Sequence, residues 1–342
     1  MLLKNIKKTI FAKGIDETMV KPLRSIQAPI QEELRIFEQR FKESMRSTVP
    51  LLDRITYYIV RRKGKQVRPM FLFLAAKLCN QVTEATYTAA SLVELLHTAS
   101  LVHDDVVDDA NKRRGFFSIN ALWKNKVAVL VGDFLLTRGL RLALKEKRID
   151  LLQIISDAFE AMTVGELLQI EKARRLDIDE SVYYEVIRKK TASLIAASCA
   201  AGASSACKDE VLIDKMYRFG ETIGIAFQIR DDLFDFGTAD VGKPLGIDIK
   251  EKKMTLPLIY ALRQADRKQR KYIIRQIKRH SEKQEVIREV IAFVHQSGGL
   301  EYASKAMHEY KDKAFEILHT FPDNDARQSL EDLVNFVVER RK

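Results

Sequence analysis

The chain contains 342 residues, a length that suits one large domain or two smaller ones. Its formal net charge is +11 at pH 7, which can indicate a nucleic-acid-binding protein. However, basic residues are not interleaved with aromatic ones and no DNA-binding motif is present, so we expect no nucleic-acid partner. No apolar run reaches the roughly 20 residues that a membrane-spanning helix requires, so the sequence predicts no transmembrane segment.

Residues 1–27 form a predicted N-terminal extension. Leu3, Ile6 and Ile10 are interspersed with lysines there, which makes a weak basic amphipathic segment. We expect this segment to pack on the body of the protein or on a partner subunit, with contact to a membrane surface as the alternative. Its apolar runs are too short for a signal peptide, and the three cysteines suit reduced thiols in a cytoplasmic protein.

Helical periodicity of apolar residues continues along almost the whole remaining chain. Glycine is sparse, whereas alanine, leucine, isoleucine, glutamate and lysine are frequent, which also favours helix. The pattern predicts helices over residues 28–48, 51–62, 69–78, 84–109, 119–145, 149–174, 179–205 and 209–236, and again from about residue 255 to the C terminus. We find no strand-like alternation of useful length and no linker. The sequence therefore predicts an all-α fold, with residues 28–342 forming a single large bundle of ten or more helices.

The predicted helix over 84–109 ends in a cluster of acidic residues, Asp104, Asp105 and Asp108. Carboxylates at this spacing repel each other, so the cluster gives a solvated helix no stability of its own. Hard divalent cations such as Mg2+ bind carboxylate and phosphate oxygens, and arginine binds phosphate. Because basic residues 112–114 follow directly, the stretch suits a metal-bridged diphosphate. An acidic helix end followed by a basic loop is an equally good interpretation of this stretch alone.

A second acidic cluster, Asp231, Asp232 and Asp235, ends the predicted helix over 209–236 with similar spacing. Two such clusters, each at the end of a long apolar helix, favour the metal site, since two helices that face each other in a bundle can hold metal ions between them. Basic residues elsewhere add candidate partners for phosphate: Lys65, Arg68, Arg113, Arg114, Lys190, Lys243 and Lys253. Each one alone is typical of an exposed side chain, whereas the whole set is better explained by two diphosphate groups.

The chain resembles the trans-isoprenyl diphosphate synthases (polyprenyl synthetase family), and among them the medium- and long-chain polyprenyl diphosphate synthases. The resemblance extends from about residue 28 to the end. It depends on eight segments in order: GKQVRP, ELLHTASLVHDDVVDDANKRRG, VGDFLLTR, GELLQ, KKTASL, FQIRDDLFD, GKPLGID and KMTLPL. It implies an all-α bundle around a deep central cavity, usually assembled as a homodimer. Ile247 and Lys252 depart from residues common in relatives, but neither departure removes a metal ligand.

The resemblance also implies roles for individual residues. The two acid clusters, Asp104, Asp105 and Asp108 with Asp231, Asp232 and Asp235, would hold three Mg2+ ions, for which Mn2+ substitutes. The allylic diphosphate would contact Arg113, Lys190, Lys243 and Lys253, and the isopentenyl diphosphate would contact Lys65, Arg68, His97 and Arg114. The substrates would also lie beside Gln169, Thr191, Phe227 and Gln228. The catalytic set would be Asp104, Asp105, Asp108, Lys190, Asp231 and Asp232.

The implied activity is that of a prenyltransferase, which adds isopentenyl diphosphate to an allylic diphosphate such as farnesyl or geranylgeranyl diphosphate. Ala99 and Ser100 are small residues one turn before Asp104, where an aromatic ring would block a growing tail, and Ile155 and Phe159 are candidates for the floor below. We therefore expect a long-chain all-trans product of hexaprenyl to decaprenyl size, octaprenyl-like, for quinone side chains. On this interpretation Ala99→Phe shortens the product, whereas the alternative interpretation is that both small residues only allow close helix packing.

Several other functions fit the sequence less well. The alternatives within the family are a short-chain farnesyl or geranylgeranyl diphosphate synthase and the catalytic subunit of a two-component synthase. A non-catalytic subunit would lack aspartates that both clusters retain.

A class I terpene cyclase needs no second diphosphate site, whereas Lys65, Arg68 and Arg114 suggest one. An HD-type phosphohydrolase would need several histidines near His103 and Asp104, and the other five are scattered. Product release would involve at most transient membrane contact.

Overall fold

The computed structural model describes residues 21–62, 64–113, 115–175, 179–237 and 245–339. Over these residues the chain is almost entirely helical, which confirms the predicted all-α class. Arg114, Lys243 and most of the predicted N-terminal extension lie outside the described residues. None of the described helices combines the length and the apolar composition needed to cross a membrane.

The helices follow one another with short connections. In chain order they are α1 Leu23–Gln27, α2 Gln31–Ser44, α3 Pro50–Val60, α4 Val67–Cys79, α5 Glu84–Val107, α6 Ile119–Lys145, α7 Ile149–Arg175, α8 Glu180–Ile187, α9 Ser193–Ala206, α10 Glu210–Phe236, α11 Ile247–Lys250, α12 Leu256–Gln264, α13 Arg267–His280, α14 Gln284–Gln296, α15 Gly299–Leu318 and α16 Asp325–Glu339. A 3-10 turn, Ala28–Ile30, precedes α2, and a π-helical turn, Arg188–Ala192, joins α8 to α9.

A short hairpin follows α5, although the sequence predicts no strand. Strands β1 Lys112–Arg113 and β2 Phe116–Phe117 pair antiparallel, with Lys112 opposite Phe117 and Arg113 opposite Phe116. Gly115 lies between them with a φ of +80°, a conformation that glycine adopts without strain. Strands of two residues are too short to show alternation in the sequence, which explains why the pattern did not predict them.

The predicted helix over 84–109 ends two residues early, at Val107. Asp109 has a φ of +47°, outside helical conformation. Carboxylates are unfavourable at the C-terminal end of a helix, where the dipole is negative, and they also repel one another. These two effects account for the early end of α5, which leaves Asp108 and Asp109 exposed beyond it.

Helix α9 lies at the centre of the bundle, and almost all of its side chains are buried. Its neighbours approach closely because glycine occupies the crossing points. A Cβ on Gly202 would meet the carbonyl oxygen of Leu72 in α4, and a Cβ on Gly220 of α10 would lie 2.7 Å from the Cα of Ala196. Small residues at these crossings therefore bring α10, which carries the second acid cluster, directly against α9 and the π-helical turn.

The start of the described chain packs against this core. Ile26 in α1 and Ile30 in the 3-10 turn are fully buried in the main hydrophobic cluster. The described part of the predicted N-terminal extension is thus continuous with the bundle. The division into residues 1–27 and 28–342 stays a prediction.

Candidate active site

A cavity of about 1080 Å3 opens between α3, α4, α5, the hairpin, α10 and α11. Acidic residues of both clusters line it, together with cations and polar residues that the sequence analysis predicted to bind substrate. Its predicted lining residues are Lys65, Arg68, His97, Asp105, Arg113, Phe227, Gln228, Asp231, Asp232 and Asp235. The fold therefore brings Asp105 and the whole second acid cluster together with Lys65, Arg68 and His97 of the predicted isopentenyl diphosphate site. The remaining described candidates are not part of this lining: Asp104, Asp108, Gln169, Lys190, Thr191 and Lys253.

Asp104 and Asp105 of the first acid cluster have different surroundings. Asp105 is 3% exposed, and Arg113 Nε donates a hydrogen bond of 2.7 Å to its Oδ1. Burial raises the pKa of Asp105, and Arg113 opposes that shift. Burial and the Glu166 carboxylate raise the pKa of Asp104, while Lys190 and Arg113 oppose the rise. Asp105 thus faces the cavity, and Asp104 belongs to the electrostatic environment of α7 and the π-helical turn.

The π-helical turn presents Lys190 and Thr191 to this site. Lys190 Nζ makes an ion pair with Glu166 of α7 and donates a hydrogen bond of 3.3 Å to Gln169 Oε1. Thr191 Oγ1 donates a hydrogen bond of 2.7 Å to Gln228 Oε1 on α10. Single π turns inside α-helices are frequent at functional sites, because they redirect side chains. The turn holds Lys190 beside the first cluster and Thr191 beside the second.

Asp232 is the most enclosed member of the second cluster, with 4% of its surface exposed. Tyr183 donates its hydroxyl at 2.7 Å to Oδ2, and Gln228 Nε2 donates at 2.8 Å to Oδ1. Burial, followed by the carboxylate of Asp248, nevertheless raises the pKa of Asp232 to about 8. The side chain is therefore positioned by two donors, but its negative charge is incompletely compensated.

Asp235 connects the second cluster to the following loop. Its two carboxylate oxygens accept hydrogen bonds from the backbone N–H groups of Ile247, at 2.8 Å, and Asp248, at 3.0 Å. Burial raises the pKa of Asp235, and these two N–H donors oppose the rise. Asp235 thus fixes the start of α11, so that Asp248 faces Asp232.

Asp231 is held by a cation that the sequence analysis did not identify. The Arg230 guanidinium is 4% exposed and donates a hydrogen bond of 2.6 Å to Asp231 Oδ1. Its carbon Cζ lies 5.1 Å from the centre of the Phe227 ring and 4.9 Å from that of Phe234. Arg230 also donates to the carbonyl of Val337, near the end of α16. The arginine directly before the two aspartates of FQIRDD was the available signal.

Lys253 lies within electrostatic reach of Asp108, after α5, and of Asp248, in α11. Its Nζ lies 2.5 Å from Glu251 Oε2. Burial lowers the pKa of Lys253, but the hydrogen bond to Glu251 and the carboxylates of Asp248 and Asp108 outweigh burial and raise it. Asp108 follows α5, and Asp248 lies in α11, whose start is held by Asp235. Lys253 is therefore a cation located between the first acid cluster and α11.

The donor set fits a hard divalent cation that is held jointly with phosphate. Among the described residues, no group of three or more histidine, cysteine, aspartate or glutamate side chains is placed to hold a metal ion. Asp105 and Asp231 instead pair with Arg113 and Arg230. Mg2+ usually binds one or two carboxylates together with phosphate oxygens, so such a group is not required. The raised pKa values of Asp104 and Asp232 indicate carboxylates that a cation would stabilise in their ionised form.

The predicted chain-length residues lie away from the cavity lining. Ala99 is fully buried in a cluster with Leu95 and with Val131 and Leu135 of α6. Ser100 is also buried and donates a hydrogen bond of 2.8 Å to the His97 carbonyl. Ile155 and Phe159 on α7 pack against the main core. The position of Ala99 matches the helix-packing interpretation, and the influence of these four residues on product length stays a prediction.

Comparison with known proteins assigns the family. The family model described as polyprenyl synthetase matches residues 49–294. The chain belongs to this family. It is accordingly a prenyltransferase, as the motifs predicted. The all-trans-nonaprenyl-diphosphate synthase (geranyl-diphosphate specific) of Rhodobacter capsulatus is 36% identical over 321 residues, which are 93% of this chain and 98% of that protein.

Solved structures of the polyprenyl synthetase fold agree closely with this one. A decaprenyl diphosphate synthase from Rhodobacter capsulatus gives a TM-score of 0.89 at 34% identity, covering 94% of this chain and 100% of that one. A polyprenyl synthase from Caulobacter crescentus, complexed with calcium and isoprenyl diphosphate, gives 0.87 at 32% identity, covering 94% and 98%. A geranylgeranyl pyrophosphate synthase from Bacteroides thetaiotaomicron gives 0.80 at 38% identity, covering 92% and 98%.

Proposed function

We propose that this prenyltransferase adds isopentenyl diphosphate units to an allylic diphosphate and releases a long-chain all-trans polyprenyl diphosphate. The observation that carries the proposal is the cavity lined by Asp105, Asp231 and Asp232 together with Lys65 and Arg68. Acids of both clusters suit a metal-bound diphosphate, and the separate cations suit a second one. The nonaprenyl and decaprenyl synthases among the relatives support the same substrate class.

The two substrates would occupy different parts of the cavity. Arg113, Lys190 and Lys253 would contact the allylic diphosphate, because they lie beside the acid clusters. Lys65, Arg68 and His97 would hold isopentenyl diphosphate at the start of α4 and on α5. Asp104, Asp105 and Asp108 with Asp231, Asp232 and Asp235 would hold Mg2+ ions, which we expect to number three. Bound Mg2+ would neutralise diphosphate charge and so make the diphosphate a better leaving group.

Carbon–carbon bond formation would follow from this arrangement. The cations stabilise the departing diphosphate while the allylic C–O bond ionises to a resonance-stabilised carbocation. The double bond of the neighbouring isopentenyl diphosphate, held in reach by Lys65 and Arg68, attacks that carbocation. Loss of a proton then gives an allylic diphosphate longer by one five-carbon unit. Among the described residues that line the cavity, His97 is the one histidine, and we assign it to substrate binding. Because His97 then does not act as the base, we assign proton acceptance to the released diphosphate.

The product length that we propose is hexaprenyl to decaprenyl, octaprenyl-like, for use in quinone side chains. Small residues at Ala99 and Ser100 support it, as do the long-chain relatives. The geranylgeranyl pyrophosphate synthase at 38% identity makes a short-chain product the first alternative. The catalytic subunit of a two-component synthase is the second.

We propose a homodimer joined through α6 and α7. Large apolar side chains are exposed along both helices: Leu122, Val129, Leu130, Leu140, Leu144, Ile149, Val164, Leu167 and Ile170. Leu130 and Leu167 are each 62% exposed. Exposed apolar side chains in this number favour a protein–protein interface over a solvated face. We place the protein in the cytoplasm, where its three free cysteines would stay reduced.

One incubation separates these alternatives. The purified chain alone is mixed with Mg2+, radiolabelled isopentenyl diphosphate and either farnesyl or geranylgeranyl diphosphate, and the dephosphorylated products are separated by length. We expect products of hexaprenyl to decaprenyl size. Geranylgeranyl diphosphate as the end product would establish the short-chain alternative. Activity that appears only after a second protein is added would establish the two-component alternative.

A further inference from the structure

A basic and aromatic surface, here called the mouth patch, lies beside the opening of the cavity. It consists of Leu51, Arg54 and Tyr57 on α3, Arg61 directly after α3, and Lys112, Phe116 and Phe117 on the hairpin. The first four recur every three or four residues and Arg61 keeps a helical backbone conformation, so they form one outward stripe. Tyr57, Arg61, Phe116 and Phe117 line the cavity opening, which shows that the stripe and the hairpin adjoin.

The two phenylalanines are held in place although they are half exposed, at 50% and 54%. Arg62 lies between the hairpin and α3, with Cζ 4.6 Å from the centre of the Phe116 ring and 3.1 Å from that of Tyr58. The Tyr58 hydroxyl donates a hydrogen bond of 2.6 Å to the Phe117 carbonyl. Lys112 Nζ lies 5.6 Å from the centre of the Phe117 ring. The exposed rings therefore belong to an ordered surface.

The charge of the mouth patch distinguishes between its potential occupants. Arg54, Arg61 and Lys112 are exposed cations, whereas Asp53, the acid on the same side of α3, accepts a hydrogen bond of 3.3 Å from the backbone of Ser47. A symmetric contact between two copies would bring like charges together, which is unfavourable. Exposed aromatic rings between cations are instead typical of proteins that bind at the headgroup level of an anionic membrane.

We propose that the mouth patch docks this protein on an anionic lipid surface. Phe116, Phe117, Tyr57 and Leu51 enter the headgroup layer, while Arg54, Arg61 and Lys112 contact lipid phosphates. The docked orientation turns the cavity opening toward the lipid. The binding itself does not depend on the proposed function, but the reason that we give for it does. A long polyprenyl diphosphate is poorly soluble in water, and a cavity that opens on the membrane delivers this product directly into the lipid.

Vesicle binding tests this proposal. The full chain is sedimented with vesicles of phosphatidylcholine alone, and with vesicles of phosphatidylcholine mixed with phosphatidylglycerol. We expect the wild-type chain to bind the mixed vesicles and not the neutral ones. The double variant Phe116→Ser/Phe117→Ser should lose at least about 10-fold in affinity, since two apolar side chains no longer leave water. Arg54→Gln should bind the mixed vesicles with about fivefold lower affinity. A higher salt concentration should weaken the binding of the wild-type chain to these vesicles.

Val211→Ser is the matched control, because Val211 is 65% exposed on α10 and is not part of the mouth patch. Wild-type affinity is expected for this variant. Thermal unfolding shows whether each variant is folded, and Arg54→Gln replaces the double variant if the latter is not. Failure of the wild-type chain to bind, equal binding to neutral vesicles, or equal losses in control and patch variants would each overturn the proposal.

Two further measurements separate lipid docking from a subunit interface and from the proposed function. If Phe116→Ser/Phe117→Ser changes the molar mass in light scattering from that of the wild type, the patch joins subunits and the lipid proposal is wrong. The chain-length assay is run on the wild-type preparation in detergent. Patch-dependent vesicle binding without polyprenyl synthesis would refute the proposed function and leave the docking surface standing.

Discussion

Arg230, which directly precedes the second acid cluster, links that cluster to the C-terminal helix α16. Its buried guanidinium joins Asp231 to the carbonyl of Val337, which lies 107 residues away in sequence. Phe227 and Phe234 flank it on α10. Because charged side chains are rarely buried without a specific purpose, we interpret Arg230 as the residue that positions Asp231 and fixes the end of α16.

Arg230→Met should lower the free energy of unfolding by about 1.5–3 kcal/mol, because hydrogen bonds to a charged group and to a carbonyl are lost. Arg218→Met on the same helix is the control. Arg218 is largely exposed and pairs with Asp214, so its loss should change stability by less than about 1 kcal/mol. Urea unfolding monitored by circular dichroism measures both. Equal effects in the two variants would show that Arg230 has no special structural role.

Asp232 should make stability depend on pH. Its pKa is raised to about 8 in the fold, whereas an unfolded chain has the ordinary value of about 3.8. Between pH 3.8 and about pH 8 the folded state binds more protons at this residue than the unfolded state does. Asp232 therefore adds to the free energy of unfolding below about pH 3.8, and this contribution is lost as the pH rises toward 8. Asp232→Asn keeps an acceptor for Tyr183 and carries no charge.

We therefore expect Asp232→Asn to be less sensitive than the wild type to a rise from pH 5 to pH 8, in metal-free buffer. Urea unfolding at both pH values gives the two differences. The variant should also be inactive, since the residue is then unable to contribute a charge to metal binding. The same pH dependence in both proteins would contradict the assignment of the raised pKa to Asp232.

The acid clusters were predictable from sequence because their spacing is visible within a few residues. The partners that come from remote segments were not predictable: Tyr183 is 49 residues from Asp232. Glu166 and Asp248 were missed for the same reason, as each is an ordinary acid in its own segment. Contacts of this range become apparent only when the helices are assembled.

At the scale of elements, the contact between α10 and the π-helical turn sets the distance between the two halves of the site. A Cβ on Gly224 would lie 2.7 Å from the Cβ of Ala192, closer than real side chains approach. Neither residue has a flexible end that can move aside. Thr191 and Gln228, which are hydrogen-bonded across this contact, lie directly beside it.

Gly224→Ala should therefore destabilise the protein by about 1–3 kcal/mol, because α10 must move away from the turn. The same shift should lower kcat, since Lys190 and Asp232 then lie farther apart. Gly237→Ala is the control, as its Cβ would meet its nearest neighbours at 3.6 Å, an ordinary contact. Urea unfolding and steady-state turnover measure both variants. A Gly224→Ala protein with wild-type stability would show that this contact can relax without cost.

Helix positions were largely predictable because apolar periodicity is strong, as in α6, whose predicted and observed bounds agree. The π-helical turn was not, because its residues Arg188–Ala192 continue the same pattern as the helices on either side. The exact end of α5 was also missed. There the repulsion between carboxylates competes with helix formation, and periodicity does not report that competition.

At the scale of the whole molecule, an all-α bundle was predictable from the helix content and the absence of linkers. The arrangement around α9 was not, because it depends on which small residues meet at each crossing. Gly202 and Gly220 look alike in sequence, yet one faces α4 and the other lies on α10 facing α9. The resemblance to a known family supplied the architecture that local patterns left open.

The central claim is that acids from two helices act together on one diphosphate. It is tested most directly by turnover of isopentenyl diphosphate with farnesyl diphosphate in wild type, Asp104→Ala, Asp231→Ala and the control Asp157→Ala, with Mg2+ titrated. Asp157 is an exposed residue of α7 outside the cavity lining. We expect no turnover without a divalent metal, losses on the order of 10^3-fold in kcat/KM for each cluster variant, and wild-type activity in the control. Near-normal turnover in Asp104→Ala or in Asp231→Ala would contradict the claim.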